Sequence, residues 1–160
     1  MNLFILDSDP IRNAECHVDK HVVKMILEAT QLMCTQFHLQ GITAPYKATH
    51  RNHPCSVFCR SSLENFLFVY EYASTLHDEF QFRYGKTHKS GREVLPWILQ
   101  NMDKLKFPKK ERTSFALAMP EKYRLYDSVE SYRSYYKCEK SHIFSWTKRD
   151  KPEWLKDFEK

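Results

Sequence analysis

Five polar side chains, His17, His21, Lys24, Glu28 and Gln31, recur at intervals of four, three, four and three residues. Between them, most positions from Val18 to Cys34 are apolar. Alternating steps of three and four trace one line along a helix. The sequence therefore predicts a helix over about residues 14–37, greasy around most of its girth, with one narrow polar stripe. A surface helix carries a broad polar face, so a narrow stripe of imidazoles, an amine and a carboxylate is expected to form the wall of a cleft. Glu28 has the chemistry to move a proton or to stabilise developing positive charge, and His21 and His17 to orient a substrate. Lys24, on the line, and Lys20, beside it, would meet an anion.

A second cluster, Thr49-His50-Arg51-Asn52-His53-Pro54, brings His50, Arg51, Asn52 and His53 together, with Arg60 shortly after. These residues read as a clamp for phosphate. His17 and His21 also have the four-residue spacing of paired metal ligands on one helical face, which with His50 and His53 suggests a metal-dependent phosphohydrolase or nuclease. Lys20, Lys24 and Arg51 crowd that set with positive charge, so neither a resident metal nor another cofactor is expected. Cys55 beside His53 has the makings of a nucleophilic pair, although Cys55 and Cys59 read more simply as core. Further on, Arg83-Tyr84-Gly85-Lys86-Thr87-His88 closes a helix with cations, which suits the helix dipole and equally suits a substrate anion. The tail interleaves rings and cations at Trp146, Lys148, Arg149 and Trp154, the mixture that splayed nucleotides require.

The elements that must position these groups are helices. Asp7-Ser8-Asp9-Pro10 reads as a cap and helix start, and Pro54 as the first position of a long helix reaching Arg83 and stopped by Gly85. Residues 93–105 and a stretch opened by Asp127-x-x-Glu130 complete the set, with one apolar turn at 115–119. Only three glycines stand in the chain, too few for many tight turns or for a glycine-rich phosphate loop. The expected fold is all-α, one domain over residues 1–160, with four or five helices and a basic-aromatic C-terminal tail.

Bulk properties narrow the function. The net charge is +5, and its distribution is uneven: residues 1–103 hold ten Lys/Arg against eleven Asp/Glu, residues 104–160 fifteen against nine. The basic excess in the last third suits a phosphate backbone. The five cysteines include no Cys-x-x-Cys, which fits a reduced, cytoplasmic setting. No signal-peptide pattern or run of about 20 apolar residues marks secretion or a membrane.

Asp19-Lys20-His21 followed seven positions later by Glu28 resembles the first helix of the phage pyrimidine-dimer DNA glycosylases (endonuclease V type). In that family an Asp-x-His precedes the catalytic glutamate by the same interval, and a terminal amine is the nucleophile. Asn52-His53-Pro54 leading into a long helix that ends in Arg-x-Gly is similar to the family's His-containing turn. Trp146-Thr147-Lys148-Arg149 and Trp154 are similar to its damage-contacting tail. The three stretches cover about half of the chain. The patterns His-x-Asp-Lys-His, His-x-Asn-His-Pro and Arg-Tyr-Gly-Lys also look like those of a set of uncharacterised viral and phage proteins. The resemblance implies DNA repair, with Glu28 catalytic and Asp19 and His21 beside it. It departs at Asn2, which is too large for routine removal of Met1, so the weight falls on Glu28 rather than on the amine.

The expected activity is cleavage of an N-glycosidic bond in damaged or modified DNA or in nucleotides, by a monomer in the cytoplasm (of a host cell, if viral). The alternatives are the metal-dependent phosphohydrolase and a non-catalytic viral module binding nucleic acid or protein.

Overall fold

Asp9 accepts a hydrogen bond from the Arg12 amide at 2.9 Å, and Pro10 follows it. The expected cap thus opens α1 (Pro10–Cys16). The computed structural model describes residues 1–158, and among them there are six α-helices and no strand. The fold is all-α, with a continuous hydrophobic core.

The helix expected over residues 14–37 is two. His17 and Val18 are extended, with ψ of 136° and 154°, and α2 (Asp19–Leu39) starts after them. Tertiary acceptors take over the amides that a continuous helix would have satisfied: Val18 N donates to Tyr136 Oη at 3.1 Å and Asp19 N to Ser145 O at 2.9 Å. The helix expected from Pro54 to Arg83 also divides, into α3 (Pro54–Ser61) and α4 (Leu63–Tyr84). Ser62 between them caps α4 by accepting from Asn65 N at 3.1 Å, and Gly85 closes it in the left-handed conformation at φ +62°. Residues Ser90–Val94 form a π-helical turn ahead of α5 (Leu95–Asn101). Gly91 lies there because a Cβ would come within 2.2 Å of the His77 ring. Asp127 caps α6 (Ser128–Lys140) as expected, while residues 115–119 form no helical turn.

α2 is the central helix: 13 of its 21 residues are buried. It packs mainly on α4, with α3 and α5 around it and α1 against α4. Its outward line is Lys20, Val23, Lys24 and Leu27; of the polar stripe only Lys24 lies on it, while His17, His21 and Glu28 are buried and Gln31 is half-buried. The other side is covered by the first residues of the chain. Asn2–Leu6 is extended and buried in a fold that has no sheet to pair with it. Side chains stand in for a strand partner. Asn2 N donates to Glu28 Oε2 at 3.1 Å, Phe4 N to Tyr72 Oη at 3.2 Å and Leu6 N to Asn13 Oδ1 at 2.7 Å. Residues two apart face the same way in extended chain, so these three acceptors form one ladder.

The C-terminal segment is fastened by buried charge. Asp19 accepts from Ser145 Oγ at 2.7 Å, from Thr147 N at 2.9 Å and from Arg83 Nη1 at 3.0 Å. Burial alone would raise the Asp19 pKa; hydrogen bonds from Thr147, Ser145 and Arg83 outweigh it and hold the carboxyl below its usual range. Arg83, with its side chain fully buried, also reaches Glu79 Oε1 at 2.7 Å and Glu15 O at 3.0 Å. Arg149 grips the same Glu79 through two bonds of 3.0 and 2.9 Å. Removing one partner from a buried ionic cluster is costly because the others stay buried. Arg83→Met is expected to lower the urea-unfolding free energy by about 3 kcal/mol, and a change below about 1 kcal/mol would show that the cluster is dispensable.

Candidate active site at Glu28

Glu28 sits just before the middle of α2, 7% exposed, with nitrogen on three sides. Its Oε2 accepts from Asn2 N at 3.1 Å and lies 3.8 Å from the amino group of Met1, and its Oε1 is 3.3 Å from Lys24 Nζ. Lys24 is one helical turn earlier, the spacing at which side chains meet, and remains 62% exposed. The carboxylate is thus walled on the core side, with the exposed Lys24 on its solvent side.

Asn2 is fixed from every direction. Its Nδ2 donates to Ala118 O at 2.9 Å, and its Oδ1 accepts from Tyr132 Oη at 3.1 Å. The Cys55 thiol approaches the same Oδ1 at 3.7 Å. Burial pushes that thiol up to about 12, so it is no thiolate nucleophile at neutral pH. His53, which was paired with it in the sequence reading, caps α3 by accepting from Cys55 N at 3.2 Å. The His53 ring feels both the Met1 amine and Glu28, and its pKa is lowered, by burial first and then by the amine. It therefore stands on the rim of the Glu28 centre.

His17 and His21 do not line an open cleft; the Asn2–Leu6 segment covers them. The Tyr72 hydroxyl, which accepts from Phe4 N, donates to His17 Nε2 at 2.9 Å, leaving His17 Nδ1–H to donate to Asn13 O at 2.6 Å. The Tyr136 hydroxyl accepts from Val18 N and is hydrogen-bonded to His21 Nδ1 at 2.7 Å. Both rings are neutral core groups. Burial lowers His17 to about 4 and His21 to about 3, the latter helped by His17 and by Lys140, Lys24 and His142 nearby. With these nitrogens committed, the His17–His21–His50–His53 metal set does not assemble, and no group of three or more metal-ligating side chains converges among the described residues.

The other expected site residues scatter. Lys20, Arg51, Asn52 and Lys86 are exposed, and Gln31 is half-buried at the edge of α2. His50 is exposed with φ +48° and bonds Thr49 Oγ1 at 2.6 Å. Arg60 braces the 49–54 loop by donating to Arg51 O at 2.7 Å, and His88 accepts from Ser90 N at 3.1 Å. Asp19 and Arg83 are the anchors of the C-terminal segment, away from solvent-facing chemistry. Trp146 and Trp154, expected as stacking platforms, donate their indole N–H groups to Cys16 O at 3.0 Å and to Cys16 Sγ at 3.5 Å. Lys148 donates to Phe82 O at 3.1 Å, and Arg149 is spent on Glu79 and Glu15. The tail docks on the core because a large apolar ring with one polar N–H satisfies both demands there.

Sequence reasoning set Met1 and Asn2 aside, although both meet Glu28, and it missed Tyr132 and Tyr136, which hold Asn2 and His21. Tyr132, Tyr136 and Lys140 fall four residues apart on α6, and that row was the available signal. The tyrosines touch Asn2 and His21, and Lys140 Nζ lies 5.3 Å from the ring of Tyr135, which stacks on Phe4. No family model matches the chain, and neither a curated protein nor a solved structure matches it.

Proposed function

We propose that the protein cleaves N-glycosidic bonds of damaged or modified nucleotides in DNA, with Glu28 as its acid–base group. The observation that carries the reading is the Glu28 carboxylate flanked by the Met1 amine at 3.8 Å and Lys24 at 3.3 Å. Breaking a C1′–N bond builds positive charge on the sugar, which a carboxylate stabilises. Glu28 would take the proton of a water that adds to C1′ as the base departs with the bonding electrons. The exposed Lys24, 3.3 Å from the carboxylate, suits a flanking phosphate. A terminal amine, that of Met1, lies 3.8 Å from the carboxylate, which supports the resemblance to the pyrimidine-dimer glycosylases, whose amine works beside a glutamate.

The direct test is release of free base from oligonucleotides carrying pyrimidine dimers or modified bases, with and without borohydride. Time-dependent base release is expected. A protein–DNA adduct trapped by borohydride would assign the attack to an amine, and release without an adduct would assign it to water. No release from any substrate of the panel would end the glycosidase reading.

A further inference from the structure

The last third of the chain carries the basic excess, yet its tail is docked and its Arg149 is neutralised. The free positive charge lies earlier. Residues 104–112 hold Lys104, Lys106, Lys109, Lys110 and Arg112 against the single acid Glu111. All five cations are exposed, and none forms an ion pair among the described residues.

The backbone under these side chains is fixed. Gln40 holds Lys106 through its amide group, accepting from Lys106 N at 2.9 Å and donating to Lys106 O at 3.0 Å. The carbonyls of Lys109 and Lys110 accept from Leu63 N at 3.1 Å and Glu64 N at 3.0 Å, the free amides at the start of α4. Thr113 is bound to Asn65 at 3.0 and 2.7 Å. The segment is a cationic ridge held from beneath, so its charges require little ordering when they meet an anion.

The ridge leads into a groove. Arg112 to Leu117 form one wall and Tyr126 to Ser128 the other, around a volume of about 370 Å³. The Arg112 guanidinium lies over the Phe115 ring at 5.5 Å and over Phe68 at 4.9 Å. Across the groove, Tyr126 is 109% exposed, its ring wholly in water. Its turn is rigid: the Ser131 hydroxyl accepts from Leu125 N at 2.8 Å and donates to Asp127 O at 2.7 Å, and Arg124 Nε reaches Met119 O at 3.1 Å. A single exposed ring is ordinary. One on a braced turn, opposite a guanidinium and at the end of a lysine ridge, combines backbone-tracking charge with a stacking face. The groove wall also runs straight on to Ala118, the residue that holds Asn2 beside Glu28. From Arg112 to Ala118 the chain can span at most about 20 Å.

We propose that this ridge and groove bind a single-stranded stretch of DNA, its phosphates on Lys106, Lys109, Lys110 and Arg112 and one base stacked on Tyr126. The inference rests on the glycosidic reading for its purpose, since it names the surface that would lead a strand to Glu28, but binding is measured without turnover. A labelled thymidine oligomer of about twelve nucleotides would be titrated by fluorescence anisotropy at several salt concentrations, against wild type, Tyr126→Ala, Tyr126→Phe and the triple variant Lys106→Gln/Lys109→Gln/Lys110→Gln. Losing three phosphate contacts on a single strand should reduce the log–log salt slope by about 2. Tyr126→Ala should weaken binding about 5- to 100-fold with the slope unchanged, and Tyr126→Phe should bind like wild type. An unchanged slope in the triple variant, wild-type affinity of Tyr126→Ala, or no binding by wild type at low salt overturns the proposal, whatever base release shows. Binding with these dependences but no base release from any substrate leaves the strand-binding surface standing and removes the glycosidic reading alone.

Discussion

Glu28→Gln should melt within a few degrees of wild type while base release falls by about 10²-fold or more, the scale of a lost general acid–base group. The substitution suits the question because the glutamate has two roles. As the acceptor for Asn2 N it belongs to the ladder that seats the first residues, and a glutamine oxygen serves that role equally well. As a carboxylate between Lys24 and the Met1 amine it can accept a proton or answer positive charge, and a glutamine cannot. Glu28→Ala removes both roles and should lose stability as well, leaving a buried amide unsatisfied at a cost of about 1–3 kcal/mol. A Glu28→Gln protein that keeps full turnover would leave the residue a purely structural acceptor.

The second large effect is on acid stability. His17 and His21 are folded as neutral rings, lowered by burial to about 4 and about 3, whereas in the unfolded chain they titrate near ~6.5. As pH falls below ~6.5, the unfolded chain binds protons that the native state refuses, so stability is present above that value and drains away below it. Each ring contributes up to about 1.4 kcal/mol per pH unit, and together they would remove roughly 6 kcal/mol between pH 6.5 and 4. That is comparable with the whole stability of an ordinary domain, about 5–15 kcal/mol. The pKa values of His53, His77 and His88 are also lowered by burial, and these less enclosed rings add to the trend. Urea titrations at pH 7, 6 and 5 should show a steep loss with uptake of about two protons on unfolding. His21→Gln should flatten it by about one. Equal stability at pH 7 and 5 would contradict the burial of the two rings.

Much of the frame was legible in the sequence. The caps at Asp9 and Asp127, the stop at Gly85 and the all-α class follow from local chemistry, and the structure has each of them. The breaks at His17 and Ser62 were not legible, because tertiary hydrogen bonds that backbone amides donate to Tyr136 and Ser145, and to the carbonyls of Lys109 and Lys110, decide where those helices begin. Of the polar stripe, expected as a cleft wall, His17, His21 and Glu28 are buried while Lys24 stays exposed, and what covers the buried part is an extended segment. Leu3 to Leu6 gave no sign in sequence of lying against α2, since four apolar residues without a sheet partner have no periodicity to read. The aromatic-basic tail misled for a related reason: composition shows that rings and cations are near one another in the chain, not whether carboxylates such as Glu79 and Asp19 already wait for them.

The seating of residues 2–6 also sets an order of events during synthesis. Phe4 packs on His21 early in the chain, but its other neighbours are Tyr132, Tyr135 and Tyr136, and Leu6 O is held by Arg133. A ribosome adding about 5–20 residues per second needs several seconds after making Phe4 before those partners leave the exit tunnel. Through that interval the nascent chain carries an unburied apolar stretch and two helices with an open seam. The α2–α4 pair can form from neighbouring sequence, whereas closure over His17 and His21 waits for α6. A chaperone that shields residues 2–6 of the emerging chain would therefore be engaged until α6 has been made.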